Sequence, residues 1–150
     1  MTTKQNIDWD NLGFNAHETK SMYIAKFDSN GKYLEKGLVP YGDIKLSPAA
    51  TVLNYGQGVF EGTKAYETSK NRVVFFRLDE NVKRFNNSCL RLCMPEIPDQ
   101  MFVNAVKETV IDNIEYVPKK EQGSLYIRPL AFGSGPDLGV KPSSNFTFLI

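Results

Sequence analysis

Arg84, Arg128 and Tyr126 are the residues in this chain whose types and surroundings most readily suggest chemistry. Arg84 sits in a helical pattern about 200° around from the apolar Val82, at roughly 100° per residue, and so points away from the stripe that seeks the core. Arg91 shares that side. Two readings remain open there, a solvated helix face or an anion site turned toward another body of protein. Tyr126 and Arg128 alternate along Ser124-Leu125-Tyr126-Ile127-Arg128-Pro129, so a strand would place phenol and guanidinium on one face. The pair suits a carboxylate, or else forms an edge that faces water. In Leu53-Asn54-Tyr55-Gly56-Gln57-Gly58-Val59-Phe60-Glu61-Gly62, three glycines and two large aromatics meet, which serves either a tight turn with core aromatics or close approach to a ligand. The single histidine, His17, lies among polar neighbours and reads as a surface residue. With only Cys89 and Cys93 beside it, no metal site is expected, and both thiols read as reduced. Nucleophile elbow, Walker loop and dinucleotide fingerprint are all missing.

The elements that must position these groups follow from periodicity and turn chemistry. Ser21 to Asp28 and Tyr33 to Val39 flank Asn30-Gly31 and predict a β-hairpin. Ser47-Pro48 predicts a short helix running toward Tyr55, broken by Gly56 and Gly58. A second hairpin is expected from Lys64 to Thr68 and Arg72 to Phe76. Asp79 reads as the N-cap of a helix that buries Val82, Phe85, Cys89 and Cys93 and ends before Pro95. Another helix is expected from about Asp99 to Val117, with Phe102, Ala105, Val106, Thr109 and Ile114 inward and Pro118 as the stop. Ser124 to Ala131 reads as one strand. The closing run Asn145-Phe146-Thr147-Phe148-Leu149-Ile150 reads as an apolar strand with no turn after it, as though cut, and an exposed strand of this kind would aggregate unless covered or continued.

A chain of 150 residues with 41% hydrophobic and 12% aromatic content suits one domain with one core. Lys and Arg number 18 against 17 Asp and Glu, a formal net charge of +1, which speaks against nucleic-acid or membrane-surface partners. Met1-Thr2-Thr3-Lys4-Gln5-Asn6 holds no apolar signal run, and no stretch nears the roughly 20 apolar residues that span a bilayer. A cytoplasmic protein is the expectation. The fold class expected is α+β, an antiparallel sheet flanked by helices in an α/β sandwich.

The segment from Leu53 to Tyr66 is similar to the signature region of branched-chain amino acid aminotransferases, pyridoxal 5′-phosphate (PLP) enzymes of fold type IV. Phe76-Arg77-Leu78-Asp79-Glu80-Asn81 with Arg84 and Ser88, then Leu90-Arg91-Leu92-Cys93-Met94-Pro95, then the block around Tyr126 and Arg128 with Gly139-Val140, resemble the family in order and spacing. The resemblance covers nearly the whole chain and implies a small N-terminal domain, residues 1–150. It implies that Arg84 grips the cofactor phosphate, and that Phe14, Tyr55, Phe60 and Tyr126 wall the substrate pocket, with Arg128 beside Tyr126 on the substrate carboxylate side. Leu138 and Val140 resemble loop residues that reach into the partner's active site, which implies a homodimer. Amino transfer from leucine, isoleucine or valine to 2-oxoglutarate is the implied reaction. The lysine that holds the cofactor, and the acidic partner of its pyridine nitrogen, are implied to lie in a larger C-terminal domain outside these residues, so no catalytic residue is expected here. Lys64 follows the glycine-rich turn but occupies a structural position in the family, and it reads as a solvent-facing strand residue. Other fold type IV activities, a D-amino acid aminotransferase or an aminodeoxychorismate lyase, share the scaffold more than these motifs. A catalytically silent module that binds a phosphorylated ligand is the rival from another class.

Overall fold

A computed structural model describes residues 7–13 and 17–150. Strands β1 (Ser21–Asp28) and β2 (Tyr33–Pro40) form the expected hairpin; Gly31, at φ 78°, takes the left-handed turn position, and Asp28 Oδ1 accepts from the amides of Asn30 and Lys32 at 2.9 and 3.0 Å. Helix α1 (Thr51–Tyr55) and strand β3 (Gly58–Phe60) come next, then the second expected hairpin, β4 (Thr63–Glu67) and β5 (Val73–Phe75). Helices α2 (Leu78–Arg91) and α3 (Asp99–Asp112) precede a 3₁₀ turn at Ile114–Tyr116 and the strands β6 (Leu125–Ile127), β7 (Leu130–Gly133) and β8 (Asn145–Leu149). The strands form two antiparallel sheets, a five-stranded one in the order β2-β1-β8-β7-β3 and a three-stranded one in the order β5-β4-β6.

The core lies between the larger sheet and the two long helices. Alternation turns Tyr23, Ala25 and Phe27 of β1 inward, and the register sets Ala25 opposite Phe148 and Phe27 opposite Phe146. Phe85 of α2 and Phe102 of α3 meet Phe148 at ring-centroid distances of 5.8 and 5.5 Å. The apolar run that ends the chain is therefore covered: β8 pairs with β1 on one side and β7 on the other. Its greasiness follows from its place inside the sheet.

Several boundaries differ from the expected ones, each for a local reason. Ser47 makes a turn instead of a cap: its carbonyl and Oγ accept from the amides of Ala50 and Ala49 at 2.9 and 3.2 Å, and extended Ala50 bridges to Pro136 before α1 begins. Asp79 is not the N-cap of α2. Left-handed Arg77, at φ 49°, holds that position without a side-chain cap, and Asp79 and Glu80 place their charges in the first turn. Cys93 lies past the helix end at φ 54° and is exposed, so Met94 is buried in its place. Burial pushes the Cys89 thiol up to about 12, which keeps it protonated and unreactive. Helix α3 stops at Asp112, well before Pro118, where the Asn113 carboxamide both caps the Thr109 carbonyl, Nδ2 donating to it at 2.7 Å, and reaches across to β1. Asn113 Oδ1 accepts from the Ser21 amide at 3.1 Å and Nδ2 donates to the Ser21 carbonyl at 2.9 Å. Ile114 is consequently 51% exposed and not part of the core.

The expected strand from Ser124 to Ala131 is two strands in different sheets. Pro129 supplies no amide to a ladder, and the chain crosses from the smaller sheet to the larger at Arg128-Pro129. Beside it the chain also crosses at Glu61-Gly62, between β3 and β4, where the Glu61 amide donates to the Pro129 carbonyl at 2.9 Å. These adjacent crossovers define the seam on which the polar residues gather.

Candidate functional site

The seam opens into a cleft of about 320 Å³ lined by Lys64, Tyr66, Arg77, Asn81, Arg84 and Tyr126 among others. Helix α2 presents Asn81 and Arg84 to it because residues three apart share a face. The Glu61 carboxylate accepts from Arg84 Nε at 3.1 Å and Nη2 at 2.9 and 2.7 Å, and from Asn81 Nδ2 at 2.7 Å. The Glu61 side chain is only 8% exposed, whereas that of Arg84 is 68% exposed. Arg84 is thus neither a freely solvated helix arginine nor a buried one; it is tethered along one edge and open along the other. Among the described residues, the lining carries the cations Lys64, Arg77 and Arg84 against the carboxylate of Glu80, so one positive charge remains in excess once Glu61 is counted. An anion fits this balance, and the untethered edge of the guanidinium supplies the donors for one. Lys64 is exposed on β4, as expected, and contributes to that charge.

Arg128 and Tyr126 come together as expected, although Arg128 lies just beyond the end of β6. Arg128 Nε and Nη2 donate to the Tyr126 hydroxyl at 3.2 and 2.8 Å, and the guanidinium carbon lies 4.6 Å from the centre of the Phe60 ring. Gly62 allows this: a Cβ there would fall 2.6 Å from the Tyr126 hydroxyl oxygen. Phe60 is 65% exposed because Val59, its neighbour on β3, takes the buried side. A second, more apolar cavity of about 230 Å³ shares Tyr126 with the first, takes in Arg128 and extends toward Ser21, Tyr41 and Leu149.

A separate cluster surrounds the loop after β7. The Tyr55 hydroxyl, at the end of α1, donates to the Leu138 carbonyl. Gln57 is a hub between them: its Oε1 accepts from Thr51 Oγ1 at 2.8 Å and from the Ser143 amide at 3.1 Å, and its Nε2 donates to the Leu92 carbonyl at 2.8 Å. Leu138 is exposed and Val140 is 94% exposed, so the loop tip presents apolar side chains to solvent. Phe14 lies outside the described residues. The structure therefore unites Arg84, Tyr126, Arg128 and Phe60 along one seam and joins Tyr55 to Leu138 on another, with Val140 in neither. Glu61, Asn81, Arg77 and Gln57 were missed as site residues. For Glu61 a signal existed, a carboxylate set in an otherwise apolar and glycine-rich run.

The loop carries its own acid response. Asp137 is held below its ordinary value of 3.8, first by the Ser144 amide, which donates to its carboxylate at 2.8 Å, then by Ser144 Oγ at 2.8 Å and Lys141 Nζ at 3.2 Å. A depressed carboxyl stabilises the fold above its unfolded value and loses that contribution as pH falls through the folded one. The loop should therefore keep its form across neutral and mildly acidic pH and loosen only below 3.8. An NMR titration of the Ser144 amide checks this; a midpoint at or above 3.8 refutes it.

Among the described residues, no group of three or more His, Cys, Asp or Glu side chains could hold a metal ion, and no helix is long and apolar enough to cross a membrane. No family model matches the chain. Relatives do. Over 144 residues, 96% of this chain, it is 46% identical to branched-chain-amino-acid aminotransferase 2, chloroplastic, of Arabidopsis thaliana, covering 37% of that protein. It is 47% identical over 148 residues, 99% of this chain, to branched-chain amino acid aminotransferase 1, mitochondrial, of Humulus lupulus, covering 38% of it. The fold matches the crystal structure of a T.th. branched-chain amino acid aminotransferase complexed with N-(5′-phosphopyridoxyl)-L-glutamate, with a TM-score of 0.62 and 34% identity over 88% of this chain and 41% of that one. The chain thus spans a little over a third of the length of the curated relatives it matches. The compartments in those names overturn the expectation of a cytoplasmic protein. That expectation rested on the lack of a secretory-type apolar run, which bears on export alone; leaders for plastids and mitochondria are amphipathic and arginine-rich instead.

Proposed function

We propose, from the premise that this chain is homologous over nearly its whole length to branched-chain amino acid aminotransferases, a transferase family, that it supplies the phosphate anchor and part of the substrate wall of a PLP-dependent transaminase acting on leucine, isoleucine and valine. The observation that carries this reading is the half-open guanidinium of Arg84, seated in a cleft with an excess of positive charge. A phosphate dianion there would take charge-assisted hydrogen bonds from the edge that Glu61 leaves unused, with Lys64 and Arg77 adding field. The residues present fit the cofactor's phosphate. PLP, when bound, supplies the electron sink for amino transfer.

The remaining residues bind and orient the amino acid. Phe60 and Tyr126 would form an aromatic wall that favours a branched aliphatic side chain over a polar one, since apolar surface is removed from water without stranding a polar group, and Tyr55 would act with Leu138 at the loop after β7. Arg128 would receive a substrate carboxylate, and its alignment by Tyr126 and its contact with the Phe60 ring support this role. Covalent attachment of the cofactor falls to residues outside this chain, which in this reading is the smaller domain of a longer enzyme with 2-oxoglutarate as amino acceptor. Two copies would associate so that the exposed Leu138 and Val140 complete the partner's pocket; their exposure on a loop held by Gln57, Ser143 and Ser144 supports this.

In the complete protein, Arg84→Ala should raise the dissociation constant for PLP by about 10- to 100-fold, the equivalent of one or two charge-assisted hydrogen bonds. Preference among leucine, isoleucine and valine should change little, because an anchor and not a pocket wall is removed. Equal PLP occupancy of variant and parent after dialysis would count against the assignment.

A further inference from the structure

We infer that Glu61 is a positioning residue for anion binding: its buried carboxylate sets the orientation of the Arg84 guanidinium, and phosphate affinity depends on that orientation more than on the charge Glu61 adds. The inference rests on the reading of Arg84 as the phosphate anchor and assigns the site a component that does not itself touch the ligand.

A buried carboxylate needs a reason to be there, because taking it out of water is costly unless every oxygen is satisfied. Glu61 meets that condition through α2 alone. Oε1 takes Arg84 Nε and Nη2, and Oε2 takes Arg84 Nη2 and Asn81 Nδ2. Its backbone is fixed as well, since its amide donates to the Pro129 carbonyl across the two crossovers. Arg84, by contrast, is a long side chain with 68% exposure, which in isolation would sample many rotamers. The two-pronged contact holds the Nε–Nη2 edge against the seam and so directs the opposite edge into the cleft. A phosphate arriving there meets a donor already in place and loses less rotamer entropy on binding.

Glu61 also places a negative charge one guanidinium away from that phosphate, and the two effects have opposite signs. Were charge dominant, neutralising Glu61 would tighten anion binding; were orientation dominant, it would weaken it. Orientation should win. The Glu61 charge is already offset by its two-pronged ion pair with Arg84, which lies between it and the phosphate and so weakens their repulsion, whereas the geometric constraint acts in full. Glutamine at this position would also turn one amide NH₂ toward the donors of Arg84, removing the fork that fixes it.

The test uses the complete protein carrying this chain, stripped of cofactor, and measures by calorimetry the dissociation constants for PLP and for inorganic phosphate, so that the readout is independent of turnover. Glu61→Gln should weaken both by about tenfold, and in an Arg84→Ala background it should change neither, because no guanidinium is left to orient. Glu61→Asp provides a second variant: it keeps the charge but withdraws the oxygens by one methylene, so orientation predicts a loss in the same direction and charge alone predicts none. Affinity unchanged or tighter in Glu61→Gln, or unchanged in Glu61→Asp, overturns the inference. Affinity unchanged in Arg84→Ala overturns the phosphate assignment itself, and loss in Arg84→Ala without loss at Glu61 overturns the orientation role alone.

Discussion

Phe148→Ala should lower the unfolding free energy by about 3–5 kcal/mol, the largest stability loss anticipated for a single substitution in this chain. Phe148 is fully buried on β8, the middle strand of the larger sheet, and its ring lies 5.8 Å from Phe85, 5.5 Å from Phe102 and 6.5 Å from Tyr23. Truncation leaves a void bounded by two helices and two strands, none of which can collapse into it without moving its other partners. The lost transfer energy therefore adds to a cavity penalty. Phe85 lies on the same helix as Arg84, so the effect should also reach the cleft as weaker anchoring of α2. Urea denaturation measures the loss directly, with Phe60→Ala as the control. Phe60 is 65% exposed, so its removal should cost no more than about 1 kcal/mol, mostly its contact with Arg128. Equal costs at the two positions would show that the core has been misplaced.

The second large effect comes from a polar residue. Asn86 is buried on α2, and its carboxamide acts as a surrogate peptide: Oδ1 accepts from the Ile97 amide at 2.9 Å and Nδ2 donates to the Ile97 carbonyl at 2.8 Å. Asn86→Ala strands two buried backbone groups at once, at about 1–3 kcal/mol each, so a loss of about 2–5 kcal/mol is expected. The carboxamide ties α2, the helix that carries Arg84, to the segment leading into α3. Hydrogen exchange offers a local check, since the Ile97 amide should lose protection well beyond the global change. Retained protection at Ile97 with a loss under about 0.5 kcal/mol would rule the surrogate-peptide role out.

Asn113 repeats the device on Ser21, and neither asparagine could be recognised from the sequence. Each sits where a helical pattern would tolerate it, and its partner is 11 residues away in one case and 92 in the other. Pattern reading works where a residue's environment repeats with the period of its own element. It therefore found both hairpins, the apolar stripe of α2 through Cys89, and the inward set of α3 through Val106. It failed where a distant partner decides: Asn113 ends α3 early, Ala50 delays α1 by pairing with Pro136, and Pro129 divides what looked like one strand. Strand β3 was hidden because its ladder partner, β7, lies far along the chain and its own glycine suggested a break.

The candidate site divides in the same way. The types and spacings of Arg84, Tyr126 and Arg128, and the motifs that resemble branched-chain aminotransferases, could be read from the residue order, because helix and strand periods determine which side chains share a face. That Glu61 lies beneath Arg84 could not, since 23 residues separate them and only two neighbouring sheet crossovers bring them together. Local propensity and periodicity, which act over a few residues, determined the elements and the chemical groups that each presents. Tertiary packing, which alone sets the distances between elements, decided which of those groups meet and which edge of a guanidinium is left open.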